Sequence, residues 1–146
     1  MYIVEDQMLV ISDDCVCMKD WGRGVNCTWE VSKLRQFLND SYYNEKFSES
    51  ERGAILLTHN TNPGNTSNTI DGGNDTDDHL FILSSEQINE LMPDKSSRER
   101  TKFWWVRTPG ANSERFCFVG AKGTIFSNGW IMEPRGVRPC MWIKLP

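Results

Sequence analysis

Histidine is scarce in this sequence: there are two, His59 and His79, among 146 residues. That leaves little for imidazole base catalysis or for a zinc site of ordinary spacing. No C-x-x-C pair occurs among Cys15, Cys17, Cys27, Cys117 and Cys140, and five cysteines cannot all pair within one chain. The favoured reading is reduced, partly buried thiols, with a bridge from Cys15 or Cys17 to Cys27 as the alternative. The G-x-S-x-G, H-E-x-x-H, P-loop and dinucleotide patterns are all missing. Basic charge is short as well. Sixteen Lys and Arg stand against twenty Asp and Glu, a net charge of −4, which argues against a nucleic-acid binder. No apolar run approaches membrane-spanning length, and Met1 to Asp6 lack a signal-peptide pattern. No cofactor is expected.

What is present is a chain long enough for one domain with a sizeable core. Its last forty or so residues are the most informative. Trp104-Trp105-Val106 is a short apolar run ahead of a turn signal, Thr108-Pro109-Gly110, and reads as a buried strand. Arg115 to Val119 reads as the next strand, and Gly120 to Gly123 as a hairpin turn. Thr124 to Phe126 returns, Ser127-Asn128-Gly129 turns again, and Trp130 to Met132 is a further apolar piece. Met141 to Leu145 reads as a central final strand. At the other end, Tyr2 to Val4 and Met8 to Ser12 read as a hairpin.

Trp29 to Asn39 is the best helix, with Leu34, Phe37 and Leu38 on one stripe and Asn39 as its stop. Arg35 is expected to pair with a carboxylate or a carbonyl. Ser41 to Phe47 reads as a short second helix, Ser48-x-x-Glu51 as a capping box, and Ile55 to Leu57 as a core strand. His59 to Asp77 is almost devoid of apolar residues and is expected to be a long solvated loop, its Asp and Asn residues lacking the EF-hand spacing for calcium. Asp78 is expected to be a structural acceptor beside a strand at Leu80 to Leu83. Ser84 or Ser85 caps a helix carrying Ile88, Leu91 and Met92, which ends at Pro93. The charged stretch Asp94 to Lys102 reads as a solvated connection.

W-W-V-R-T-P-G at 104–110 and G-V-R-P-x-x-W-I at 136–143 carry a resemblance. They look like the end of an uncharacterised bacterial domain family, common in gut Firmicutes, whose members close with WLRSPG and GVRPALWI. Trp29-x-x-Ser32-x-Leu34-Arg35-x-x-Leu38-Asn39, Phe47-Ser48-x-x-Glu51 and Asp78-x-Leu80-Phe81-Ile82-Leu83-Ser84 match its upstream motifs in order, over roughly residues 8 to 146. The resemblance implies one more strand ahead of the first hairpin, which this chain lacks. More distantly, the ending is similar to that of C-type-lectin-like domains, including the formylglycine-generating type and the variable proteins of diversity-generating retroelements.

These likenesses imply an α+β, C-type-lectin-like domain over residues 1–146. Two main helices (about 29–39 and 85–92) pack against a twisted, mostly antiparallel sheet. The core is expected to hold Trp29, Leu34, Leu38, Phe81, Leu83, Trp105, Val137 and Trp142. Arg138 is expected to be held by a carboxylate, with Asp78 or Glu51 as the choices, or by backbone carbonyls. Function in such a fold belongs to loops on a rigid scaffold. The candidate ligand-binding residues are therefore Asn112, Glu114, Arg115, Asn128, Trp130, Met132, Glu133 and Arg135, facing a protein or a surface glycan. A cell-surface, secreted or virion setting is what the likeness implies. The alternatives are a structural module of a larger surface or phage protein, and a relative of the formylglycine-generating oxidoreductases with Cys117 and Cys140 as its thiols.

Overall fold

The computed structural model describes residues 2–65 and 67–146; Met1, and Thr66 within the polar stretch, lie outside the described residues. The expected first hairpin forms from β1 (Tyr2–Val4) and β2 (Gln7–Ile11), with Glu5 at φ 55° in the turn. The last strand, β10 (Cys140–Lys144), adds antiparallel to β2 and completes a three-stranded sheet in the order β1-β2-β10. A five-stranded sheet runs in the order β3 (Cys17–Lys19), β9 (Arg135–Val137), β6 (Trp104–Pro109), β7 (Arg115–Val119) and β8 (Ile125–Trp130). Only its β6–β9 contact is parallel. β4 (Thr58–Asn60) and β5 (Thr76–Asp78) make a small separate hairpin. The class is α+β with a mostly antiparallel sheet, as expected.

The helical segment starts later and runs further than its apolar stripe suggests. Trp29–Val31 is a single 3-10 turn. Ser32 then caps α1 (Lys33–Phe37), its Oγ accepting from Arg35 N at 3.1 Å. The chain continues through a π-helical turn at Leu38–Tyr42 into α2 (Tyr43–Lys46). Asn39 therefore does not stop the helix. Its Oδ1 accepts from the backbone N–H groups of His79 and Leu80, at 2.8 and 3.0 Å, and its Nδ2 donates to Leu80 O at 2.8 Å. The polar side chain that read as a stop is a clamp on a neighbouring segment. Ser48 caps α3 (Glu49–Ala54) and Ser84 caps α4 (Ser85–Leu91), each with a complete capping box.

Three expected strands are corrected. Ile55 makes only an isolated bridge to Ile143, and Leu57 is exposed. Leu80 to Leu83 are all buried, yet the backbone there meets one partner, Phe81 facing Cys140. An apolar run buried on every side does not need a ladder, since Arg107 N takes Leu83 O at 2.9 Å and the Arg107 side chain takes Ile82 O at 3.0 Å. β10 is an edge strand rather than a central one, and Trp142 is only half-buried, meeting Tyr2 edge-on at 6.3 Å. The other expected core residues are buried. Missing from that expectation is Trp21, fully buried, which stacks on Phe116 at 3.8 Å and meets Trp29 and Trp105 at 5.7 and 5.6 Å. These rings are the centre of the core.

Two of the expected turns are strand. β6 runs through Thr108 and Pro109, and β8 runs straight through Ser127-Asn128-Gly129. Gly129 is needed for closeness instead of for a turn: a Cβ there would lie 2.6 Å from Phe116 O and 2.8 Å from Phe118 Cδ1. Gly123 is the true turn glycine, at φ 79° in the β7–β8 hairpin.

The polar stretch is not simply solvated. It hangs from the β4–β5 hairpin, and Asn60, Asn62, Thr76 and Asp78 are buried. Asp78, fully buried, accepts from Trp29 Nε1 (3.0 Å), Arg35 Nε (2.6 Å), Asn60 Nδ2 (3.0 Å) and Thr76 Oγ1 (2.7 Å). One carboxylate thus joins the 3-10 turn, α1 and both strands of the hairpin.

On the hairpin's exposed side, His59 Nδ1 lies 2.9 Å from Asp77 Oδ1 and its Nε2 lies 3.1 Å from Asp75 Oδ2. Hydrogen bonds to these two carboxylates raise its pKa above the ordinary 6.5. A raised folded-state value means that the clamp is complete below pH 6.5 and is lost as pH climbs through that raised value. Amide protection factors in residues 58–60 and 76–78 are expected to fall over that rise. A His59→Asn variant should show no such step, and an unchanged pH profile in that variant would refute the clamp.

Candidate functional site

The segments that were expected to form one face do meet. β7 pairs with β8 so that Arg115 faces Trp130 and Phe116 faces Gly129. Beyond the strand end, Ile131 N donates to Glu114 O at 3.2 Å, and Ala111 N donates to Ser127 O at 2.7 Å. Asn112 Oδ1 accepts from Glu114 N at 3.0 Å and holds the tight turn that leads into β7. The Arg115 guanidinium lies 4.8 Å from the Trp130 ring centroid. Trp130 nevertheless keeps 44% of its surface exposed and Met132 keeps 48%. Asn112, Glu114, Asn128 and Glu133 are exposed and Arg115 is half-buried.

Arg135 does not belong to this surface. It is 8% exposed, and its guanidinium packs over Phe118 (4.4 Å) and Trp105 (4.8 Å). Nη1 donates to Trp130 O at 3.0 Å and Nη2 to Glu133 Oε2 at 2.9 Å. Burial pulls its pKa down while Glu133 pushes it back up. Arg135 opens β9 and pairs with Lys19 of β3, so it lies on a different strand from the face. β8 carries an irregularity opposite Phe116 and Phe118, so that Phe126 and Gly129 both share their face, while Trp130 turns to the other. Arg135 braces the face from behind.

Two further segments flank the site and were not anticipated. Asn26 N donates to Ser113 O at 3.2 Å, and Trp21 N and Gly22 N both donate to Ile131 O. This brings the loop of Arg23, Gly24 and an exposed Val25 to the edge of the face. The glycines around Arg23 were the sequence signal for it. From the polar stretch, Asn65 Nδ2 donates to Pro109 O (2.9 Å) and Asn68 Nδ2 to Gly110 O (2.8 Å). On the opposite face of β7 and β8, Phe103, Phe118 and Phe126 stack at 5.6 and 5.5 Å.

The five thiols are free. Burial pushes all of them up, Cys117 to about 11, so they are protonated at neutral pH. Cys117 Sγ donates to Pro109 O at 3.5 Å and Cys140 Sγ to Phe81 O at 3.2 Å, so the two are spent on separate carbonyls. Arg138 is held as expected by a carbonyl: Nε and Nη2 both donate to Ser12 O, at 3.2 and 3.1 Å, with the guanidinium 4.6 Å from the Trp104 centroid. Asp78 and Glu51 are not its partners; Asp78 serves Arg35, and Glu51 closes the Ser48 capping box.

An α+β scaffold with an aromatic–arginine pair displayed between two late strands is the class of protein these elements define. The chain belongs to the family described as Domain of unknown function (DUF6273), whose sequence profile matches residues 5–145. No curated protein and no solved structure matches it.

Proposed function

We propose that this is a non-catalytic recognition domain of C-type-lectin-like architecture, which binds a protein or a surface glycan through residues 112–115 and 128–133. The observation that carries the reading is Trp130, 44% exposed yet fixed against Arg115 on a paired strand. An ordered aromatic and arginine with polar neighbours is the composition of a binding hot spot, because little side-chain entropy is lost on contact. Pairing of β2 with β10 supports the architecture by holding the two ends of the domain together. In the diversity-generating form of the reading, Asn112, Glu114, Asn128 and Met132 are the positions that tolerate change, since their side chains are exposed.

The test is the combined Glu114→Ala, Arg115→Ala and Trp130→Ala variant. It is expected to melt cooperatively within a few degrees of the parent and to lose at least tenfold in capture of ligands from protein and glycan arrays. Undiminished capture would move the site elsewhere.

A further inference from the structure

A cavity of about 220 Å³ is lined by Asn65 and Ser67, by Ser84, Ser85 and Glu86, and by Arg107 and Thr108 of β6. Arg107 is 4% exposed. Its Nε donates to Ile82 O (3.0 Å), Nη1 to Thr61 O (2.7 Å) and Asn62 Oδ1 (2.6 Å), and Nη2 to Gln87 Oε1 (3.0 Å). Every one of these acceptors is neutral. A guanidinium carries five N–H donors, so one on Nη2 is left over from these four bonds. Arg35 and Arg135 each have a carboxylate within ion-pair distance, whereas no such pair forms at Arg107 among the described residues. Asp78 acts on Arg107 only from beyond ion-pair distance, and a buried cation with no carboxylate in contact is costly, so an anion entering beside it relieves that cost. Arg98 and Arg138 are also buried, but neither borders this cavity.

We propose that this cavity is a binding site for a small carboxylate-bearing ligand, met by the spare Nη2–H of Arg107 and the hydroxyls of Ser85 and Thr108. The size is below the roughly 300–1,000 Å³ of drug-sized sites, so the ligand is a small organic acid or a single sugar acid. The field selects a monoanion. Among the described residues that line the cavity Arg107 is the only cation, the exposed Glu86 lines it too, and the chain is acidic overall, so a phosphate dianion is disfavoured. The Ser85 backbone N–H is already bound to Thr108 Oγ1 at 2.9 Å, which leaves the Thr108 hydroxyl proton free to donate. The site goes beyond the recognition face and does not depend on it.

The test is calorimetric titration of the whole chain with acetate, glucuronate, glucose and inorganic phosphate. Saturable binding of a carboxylate is expected, with glucose at least tenfold weaker. Acetate matching glucuronate would assign the site to simple acids, and tighter glucuronate would assign it to sugar acids. Glu86→Gln should tighten carboxylate binding about threefold by removing like-charge repulsion. Ser67→Trp should block the mouth and abolish binding at an unchanged melting temperature, which avoids depending on an Arg107 variant that fails to fold. Absence of saturation by either acid, phosphate or glucose binding as tightly as the acids, or an unaltered affinity in Glu86→Gln would each overturn the proposal.

Discussion

Asp78→Ala is expected to cost about 3–5 kcal/mol of stability, the range for removing one partner of a buried, hydrogen-bonded charge pair. Four donors lose their shared acceptor together: Trp29 Nε1, Arg35 Nε, Asn60 Nδ2 and Thr76 Oγ1. Arg35 is partly solvated, with 26% of its side chain exposed, so water recovers some of its bonding, while the buried indole and amide have no such recourse. Asp78→Asn should fall between, since it keeps one acceptor oxygen but brings an amide donor among donors. Urea unfolding measured for both variants checks the order. A loss below about 1 kcal/mol for Asp78→Ala would mean that the cluster reorganises around the gap.

Arg135→Ala is expected to destabilise by about 2–4 kcal/mol, by loss of a charge-assisted bond to Glu133, a bond to Trp130 O and the stacking over Trp105 and Phe118. Arg135→Lys should recover only part of this, because an ammonium cannot lie flat on both rings while reaching two acceptors. Chemical denaturation of the two variants beside Trp130→Ala separates brace from binding residue. The Trp130 variant should lose little stability, since the ring is nearly half exposed. If Arg135→Ala unfolds at the parent's denaturant concentration, the bracing role is wrong.

The sequence made the caps and the short-range strands legible. Ser48, Ser84 and the β1–β2 hairpin are local chemistry, decided within a few residues. The candidate face was legible in outline, because Trp130 and Arg115 stand in a turn-rich region between aromatic strands. What escaped depends on partners distant in the chain. Leu80 to Leu83 look like a strand, yet Arg107 takes the carbonyls of Ile82 and Leu83, Asn39 that of Leu80 and Cys140 that of Phe81. Gly129 looks like a turn, yet it answers to Phe116 across the pair. Arg135 looks like a loop arginine, yet it opens β9 opposite Lys19 and lies over Phe118 and Trp105. The cavity beside Arg107 has no local signature at all, since its walls come from four separated segments.

The antiparallel pairing of Cys140 with Ile11 and Lys144 with Gln7 has a kinetic consequence. Closing so long a loop costs entropy before any contact rewards it, so this pairing is expected to form late in folding. During synthesis, β2 has one edge unpaired until β10 emerges. A chain truncated before residue 140 is expected to leave that edge open and to be cut faster by protease than the whole domain.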